Sequence, residues 1–289
     1  MNRITRAMNS DALPWHQQKM AVTDLMSLKG QVAAVTAGGG PNLGGAICNR
    51  LAGLGATLAV IDLDYDAAVA TAKAVSQQWN TKALPYQGDV ADARSVREFV
   101  SKIANDLGGI DIWVNNVGLA SLPGRPANRF DELSFEEIDW FIGVDLRGAL
   151  YCSRAALDHM LPKKRGRIIN IASESGKSWA VKRTVYSTCK AGVIGFTRSL
   201  SHELAGTGVS VVAVCPGIML GRISLDRLEA LDEASADPAF EVLTNAISKV
   251  SAGRASIPEE VANLVAFLAT EAGSYIQGTA LSAGGGMAD

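Results

Sequence analysis

Cysteine is scarce in this chain: Cys48, Cys152, Cys189 and Cys215 are scattered over 289 residues with no C-x-x-C pair among them. That spacing excludes a disulfide framework and a zinc-ribbon site, and it points to reduced thiols in a cytoplasmic protein with no metal. An excess of either charge is lacking too. The formal net charge is −2, so no basic field argues for nucleic acid or an anionic membrane as partner. No apolar run reaches the roughly 18 residues that span a bilayer. Near the N-terminus, Asp11, Pro14 and His16 interrupt what a secretion signal needs as an apolar stretch. Internal repeats, low-complexity tracts and linkers are absent as well. Residues 1–28 form a polar extension, either disordered or an arm that packs on a neighbouring subunit.

What remains is apolar material in quantity, 48% hydrophobic residues against 19% charged, enough for a large core. Short runs rich in β-branched residues alternate with longer amphipathic ones from Lys29 onward. Strands are expected over 32–36, 57–61, 110–115, 167–171 and 209–215, apolar on both faces as buried parallel strands are. Helices are expected over 44–54, 65–79, 93–107, 135–160 and 186–204. This order specifies an α/β fold: one domain from residue 29 to 289, a Rossmann-like doubly wound parallel sheet with helices on both faces. Such a sheet binds ligands at the carboxyl ends of its strands.

Tyr186-Ser-Thr-Cys-Lys190 carries the chemistry. Four residues apart on a helix, the tyrosine and lysine project from one face. An ammonium beside a phenol favours the phenolate and is expected to lower the tyrosine pKa from about 10. A tyrosine so placed can exchange a proton with an alcohol or ketone oxygen.

The first strand runs into Ala37-Gly-Gly-Gly-Pro-Asn-Leu-Gly44, and a helix follows. Glycines there let the backbone approach a pyrophosphate at the helix N-terminus, which makes Gly38, Asn42, Leu43 and Gly44 candidate cofactor contacts. Asp62 ends the second strand, placed to accept hydrogen bonds from a ribose 2′-hydroxyl and to repel a 2′-phosphate. No cation follows among Leu63, Asp64, Tyr65 and Asp66. The expected cofactor is therefore NAD, with Asp64 as the cap of the next helix.

Together these residues resemble the short-chain dehydrogenase/reductase family, over about residue 29 to the C-terminus. Gly88-Asp89-Val90 is similar to the family's adenine-side segment, and Asn115-Asn116-Val117-Gly118 to its Asn-Asn-Ala-Gly strand end. Ser173 precedes Tyr186 by thirteen residues, the family's usual interval, and Pro216-Gly217 with Ile218 matches the nicotinamide-side turn. Arg254, Pro258-Glu259, Gly278 and Gly284-Gly285-Gly286 fit its tail. The resemblance implies Tyr186 as acid/base, Ser173 as hydrogen-bond donor to the substrate oxygen, and Lys190 on the nicotinamide ribose. Asp89, Val90, Asn116, Val117, Gly118, Pro216, Gly217 and Ile218 would contact the cofactor. It also implies a dimer or tetramer built through the long helices and C-terminal segments.

Three positions depart from that pattern. Ala37 and Asn42 replace a threonine and a glycine of the loop, and Asn42 is expected to take the glycine's positive φ. Asp145 stands where the family has the asparagine of its proton relay, and its charge should raise neighbouring pKa values. Gly221 replaces a threonine that bonds the carboxamide. On the substrate side, Glu174 and Trp179 are candidate contacts, and a lid is expected over about 219–250. Lys177, Lys182 and Arg183 read as a solvated basic loop. The main expectation is an oxidoreductase moving a hydride between NAD(H) and a secondary alcohol or ketone. Alternatives are an NADP-dependent ketone reductase of the 3-oxoacyl type and a non-catalytic nucleotide-binding sensor or scaffold. An enoyl reductase would space its tyrosine and lysine more widely.

Overall fold

The computed structural model describes residues 15–119, 128–178, 180–221 and 244–287. Its centre is a sheet of seven strands: β1 Val32–Thr36, β2 Thr57–Asp62, β3 Ala83–Gln87, β4 Ile112–Asn115, β5 Gly166–Ile171, β6 Val209–Pro216 and β7 Ala280–Ala283. The spatial order is β3-β2-β1-β4-β5-β6-β7, and every neighbouring pair is parallel. The order reverses between β1 and β4, which opens a crevice at their carboxyl ends.

Among the described residues, the helices of eight residues or more that flank the sheet are α1 Leu43–Gly53, α2 Tyr65–Trp79, α3 Ala93–Leu107, α4 Phe135–Ile142, α5 Gly148–Met160, α6 Thr184–Glu203 and α7 Pro258–Ala269. The alternation of strand side chains decides which helices cover which face. Ala33 and Val35 point into a cluster with Ile47, Leu51 and Val265 from α1 and α7. Ala34 points the other way, into a cluster with Trp113, Phe99, Cys152 and Ala156 from β4, α3 and α5. Both faces are dry, so the strands carry no polar alternation.

Local signals set the helix ends. Asp64 accepts the Asp66 and Ala67 N–H groups at the start of α2, and Asp92 does the same for Arg94 and Ser95 at α3, each satisfying otherwise orphaned donors. At α4, Ser134 and Glu137 form a reciprocal capping box.

The helix expected over 135–160 is not continuous. Gly143–Arg147 forms a π-helical turn between α4 and α5, an insertion that displaces the face of the following residues. Two strands escaped the apolar-run reading, β3 and β7. The described part of the extension contacts its own chain, through Gln17 Nε2 to Glu271 Oε1 at 2.7 Å and Thr270 Oγ1 to Met26 Sδ at 3.6 Å. Leu28 is fully buried. All four cysteines are free and buried. Among the described residues no helix is long and apolar enough to cross a membrane.

A buried polar chain ties β4 and β5 to α5 and α6. The Trp113 indole donates to Asn115 Oδ1 at 2.8 Å, and Asn115 Nδ2 donates to Ser153 Oγ at 2.8 Å and Asn170 Oδ1 at 2.7 Å. Asn170 Nδ2 donates in turn to Thr197 Oγ1 at 2.9 Å. Fully satisfied buried networks of this kind fix one arrangement of the elements they join. Here they fix the strand ends on which the site is built.

Candidate active site

A cleft of about 1610 Å³ runs across the carboxyl ends of the strands. It is lined by Gly39, Asn42, Leu43, Gly44 and Asp62 at one end, by Asp89, Val90, Asn116, Val117 and Gly118 along its floor, and by Ser173, Glu174, Tyr186, Lys190, Pro216, Gly217 and Ile218 at the other. Gly38 is not part of the lining; a Cβ there would come within 3.0 Å of Val60 Cγ1 and 3.2 Å of Cys48 Sγ. The cleft thus gathers the cofactor candidates other than Gly38, and the catalytic candidates Ser173, Tyr186 and Lys190; Asp145 is buried and does not line it. Trp179 and the 222–243 part of the expected lid lie outside the described residues. The ends of that lid segment are described, and Met219, Gly221 and Ala246 line the cleft.

The glycine loop follows β1 directly. A Cβ at Gly44 would collide with the Ala37 carbonyl, so the chain can turn into α1 only with glycine there. Asn42 departs from expectation: its φ is −101°, and the positive φ values fall on Ala37 (47°) and Gly40 (80°). Asn42 is the residue before the first helical turn, where extended backbone is the rule. Asp62 Oδ2 accepts the Gly39 N–H at 2.9 Å, and Oδ1 accepts the Asp64 N–H at 3.1 Å. Each carboxylate oxygen keeps a lone pair for a further donor. Asp89 Oδ1 holds the Ala91 N–H at 2.8 Å. Asn116 Nδ2 donates to the Thr36 and Ala37 carbonyls, both at 3.1 Å, while its Oδ1 is buried without a partner among the described residues. Ile218, at the nicotinamide-side turn, is anchored by its carbonyl, which accepts the Ser256 N–H at 3.0 Å.

At the other end, Ser173 follows β5, and its Oγ accepts the Ser175 N–H at 3.1 Å. Tyr186 lies in the first turn of α6 and Lys190 one turn on. Lys190 is 2% exposed. Its ammonium donates to the Val117 carbonyl at 3.1 Å and the Ile171 carbonyl at 3.2 Å, leaving one of three protons for a ligand in the cleft. The Nζ lies 5.6 Å from the centre of the Tyr186 ring.

The expected lowering of the Tyr186 pKa is not what the fold produces. Burial holds the phenol above its usual value, a hydrogen bond from Ser173 and the Arg183 charge pull it down, and the Asp145 charge pushes it up. Burial also lowers Lys190, against support from Asp145. Asp145 sits on the π turn, 1% exposed. Burial raises its carboxyl from 3.8 to about 6, and Lys190 offsets part of that cost.

Glu174 is buried, not solvent-facing. Its Oε1 has no hydrogen-bond partner among the described residues and lies 3.9 Å from Lys177 Nζ. Lys177 itself belongs to the framework: it donates to the Ala280 carbonyl at 2.9 Å and Ser282 Oγ at 2.7 Å. Lys182 and Arg183 are exposed on the cleft rim. Sequence reasoning missed Trp140, Val144 and Met287, which also line the cleft. They come from distant segments and carry no local signal.

The residues fit a nicotinamide dinucleotide: a glycine loop at a helix N-terminus, a carboxylate with free lone pairs at the second strand, a lysine with a spare proton and an orphaned amide oxygen. Comparison with known proteins agrees. Residues 31–230 match the family model for short chain dehydrogenase. The chain is 35% identical over 262 residues to the 3-oxoacyl-acyl-carrier-protein reductase FabG of Aquifex aeolicus, covering 91% of this chain and 99% of that one. It is 33% identical over 257 residues to nodulation protein G of Azospirillum brasilense, covering 89% and 98%. A short-chain type dehydrogenase/reductase from Mycobacterium marinum superposes with a TM-score of 0.80 at 28% identity, covering 92% of this chain and 99% of that one. The chain belongs to the short-chain dehydrogenase/reductase family of nicotinamide-dependent oxidoreductases.

Proposed function

We propose that this protein reduces a ketone to a secondary alcohol, reversibly, with NAD(H). The observation that carries the reading is the meeting of Ser173, Tyr186 and Lys190 at one end of a cleft whose other end is acidic. Tyr186 gives a proton to the carbonyl oxygen in reduction and takes one from the hydroxyl in oxidation. Ser173 donates a hydrogen bond to the same oxygen as its charge changes. The Lys190 ammonium adds a fixed positive charge, preorganised by its two carbonyl partners. The nicotinamide, when bound, supplies or accepts the hydride.

Asp62 supports NAD over NADP. A 2′-phosphate beside it would have Asp64 in the same lining, and neither the glycine loop nor residues 62–66 carry a lysine or arginine. Glu174, buried at the substrate end, is placed for a second polar group of the substrate. The likeness to 3-oxoacyl-acyl-carrier-protein reductases favours a more specific substrate, a 3-oxoacyl thioester. A cytoplasmic homo-oligomer is part of the same reading; the exposed Phe130, Phe135 and Ile142 around α4 support it, and light scattering tests it. The central experiment is a panel of ketones and 3-oxoacyl thioesters assayed by loss of NADH or NADPH absorbance. Turnover of a ketone with NADH preferred is expected. No turnover with either nucleotide would remove the catalytic reading, and a preference for NADPH would remove the role of Asp62.

A further inference from the structure

Asp145 brings a charge where the family resemblance places a neutral amide, and the structure gives that charge two neighbours. Its Oδ1 accepts the Leu119 N–H at 2.8 Å, and its Oδ2 is enclosed without a partner among the described residues. Across Gly118 it looks toward Lys190: a Cβ on Gly118 would lie 2.6 Å from Nζ and 3.6 Å from Asp145 Oδ1. Lys190 in turn lies 5.6 Å from the Tyr186 ring centre. Carboxylate and ammonium therefore share one buried corner with the half-buried phenol at its cleft edge, where a charge acts more strongly than in solution.

We infer that Asp145 is a charge-setting, positioning residue that keeps both Tyr186 and Lys190 protonated, so that carbonyl reduction persists to higher pH and alcohol oxidation begins only in more alkaline solution. The catalytic half rests on the proposed chemistry. A carboxylate favours the protonated form of every neighbour: it holds the ammonium and opposes the phenolate. The neutral phenol can give a proton to a carbonyl oxygen, and only the phenolate can take one from an alcohol. Asparagine has nearly the same shape without the charge and would release both protons earlier. Two other titratable groups act in the same region, one on α6 and one just before its start. The Cys189 thiol is raised by burial and by Asp145, and Arg183 opposes Asp145 at Tyr186. Cys215 on β6 acts on Tyr186 and Lys190 in the same sense as Asp145. Arg147, on the π turn itself, is exposed and lies over the Tyr151 ring. The overall equilibrium belongs to the reactants and does not change; what moves is the pH at which each direction runs.

Ultraviolet difference titration of the phenolate tests this without cofactor, comparing the wild-type protein with Asp145→Asn and subtracting the same titration in a Tyr186→Phe background. Tyr186 should ionise about one pH unit lower in Asp145→Asn, about tenfold more phenolate at a given pH. The basic limb of reduction and the rising limb of oxidation should both move down by the same amount. Asp145→Ser supplies a second neutral side chain with the same expectation if circular dichroism shows that Asp145→Asn does not fold. A Tyr186 titration that coincides with the wild type, or moves up, overturns the inference. Failure to turn over any carbonyl overturns the proposed reaction instead, and the absorbance titration still decides the role of Asp145.

Discussion

Removing the Asp145 charge should favour the folded state increasingly as pH rises from 3.8 to about 6, and by a constant amount above that. The carboxyl titrates near 3.8 in an unfolded chain and at about 6 in the fold, because burial penalises the charged form more than Lys190 supports it. A folded pKa above the unfolded one means that stability is greatest below the lower value. It is then lost as pH rises through the window to about 6, and flat above it. The shift is about two pH units at about 1.4 kcal/mol each, so ionising Asp145 costs the fold about 3 kcal/mol at neutral pH. Asp145→Asn has no proton to lose and keeps an acceptor for the Leu119 N–H. Its amide nitrogen inherits the unpartnered place of Oδ2, a penalty of about 1–3 kcal/mol that does not vary with pH. The readout is therefore the gap between variant and wild type measured at two pH values. Urea unfolding of the cofactor-free protein at fixed concentration should show that gap growing by about 2 kcal/mol in favour of asparagine from about pH 4.5 to about pH 7.5. A gap that stays constant, or closes with rising pH, would refute the reasoning. It would mean that the carboxylate is already compensated in the fold.

Three further outcomes follow from the site and its supports. Tyr186→Phe should lower kcat by about 10²–10⁴, the usual weight of a positioned proton donor, while fluorescence titration finds NADH affinity changed by no more than a few-fold; retained turnover would remove Tyr186 as the acid/base. Asp62→Ala should narrow the preference for NADH over NADPH in the same titration, since the carboxylate that repels a 2′-phosphate is gone; an unchanged ratio would assign discrimination to other residues. Asn115→Leu should cost about 3 kcal/mol or more in urea unfolding, because it orphans the Trp113 indole N–H, Ser153 Oγ and Asn170 Oδ1 at once. A loss below about 1 kcal/mol would mean that water replaces the amide.

The strands that build the site were legible because they are buried on both faces. β1, β2, β4, β5 and β6 each appear as an apolar run of nearly the observed length, and α2 and α3 begin and end where their capping aspartates and apolar spacing place them. β3 was not legible: it is an edge strand, only Tyr86 in it is buried, and Pro85 interrupts its pattern, as proline does chiefly at edges. β7 is four residues long and only partly buried. The π turn is silent for another reason. One extra residue in a helix leaves composition unchanged and shifts only the phase of the apolar stripe, which Gly143 and Gly148 blur by contributing no side chain. In the glycine loop, the residue types forecast the turn but not the distribution of its φ angles, since Ala37 takes a positive value and Asn42 does not.

The state of Tyr186 shows most clearly where local spacing stops being informative. Four residues on a helix place Lys190 beside Tyr186, and that much is written in the sequence. Whether the ammonium lowers the phenol pKa depends on where its charge is directed and what else is near. Lys190 turns toward the carbonyls of Val117 and Ile171, at the ends of neighbouring strands. A carboxylate from a different helix, forty-one residues earlier in the chain, comes into the same corner. Burial, with that carboxylate acting in the same sense, outweighs the Ser173 hydrogen bond and the Arg183 charge, because a desolvated phenol resists ionisation. In the proposed reaction, that burial makes Tyr186 a proton donor first. A cofactor's positive nicotinamide ring would work in the opposite sense, which makes the phenolate needed for alcohol oxidation easier to form in the loaded site than in the empty one.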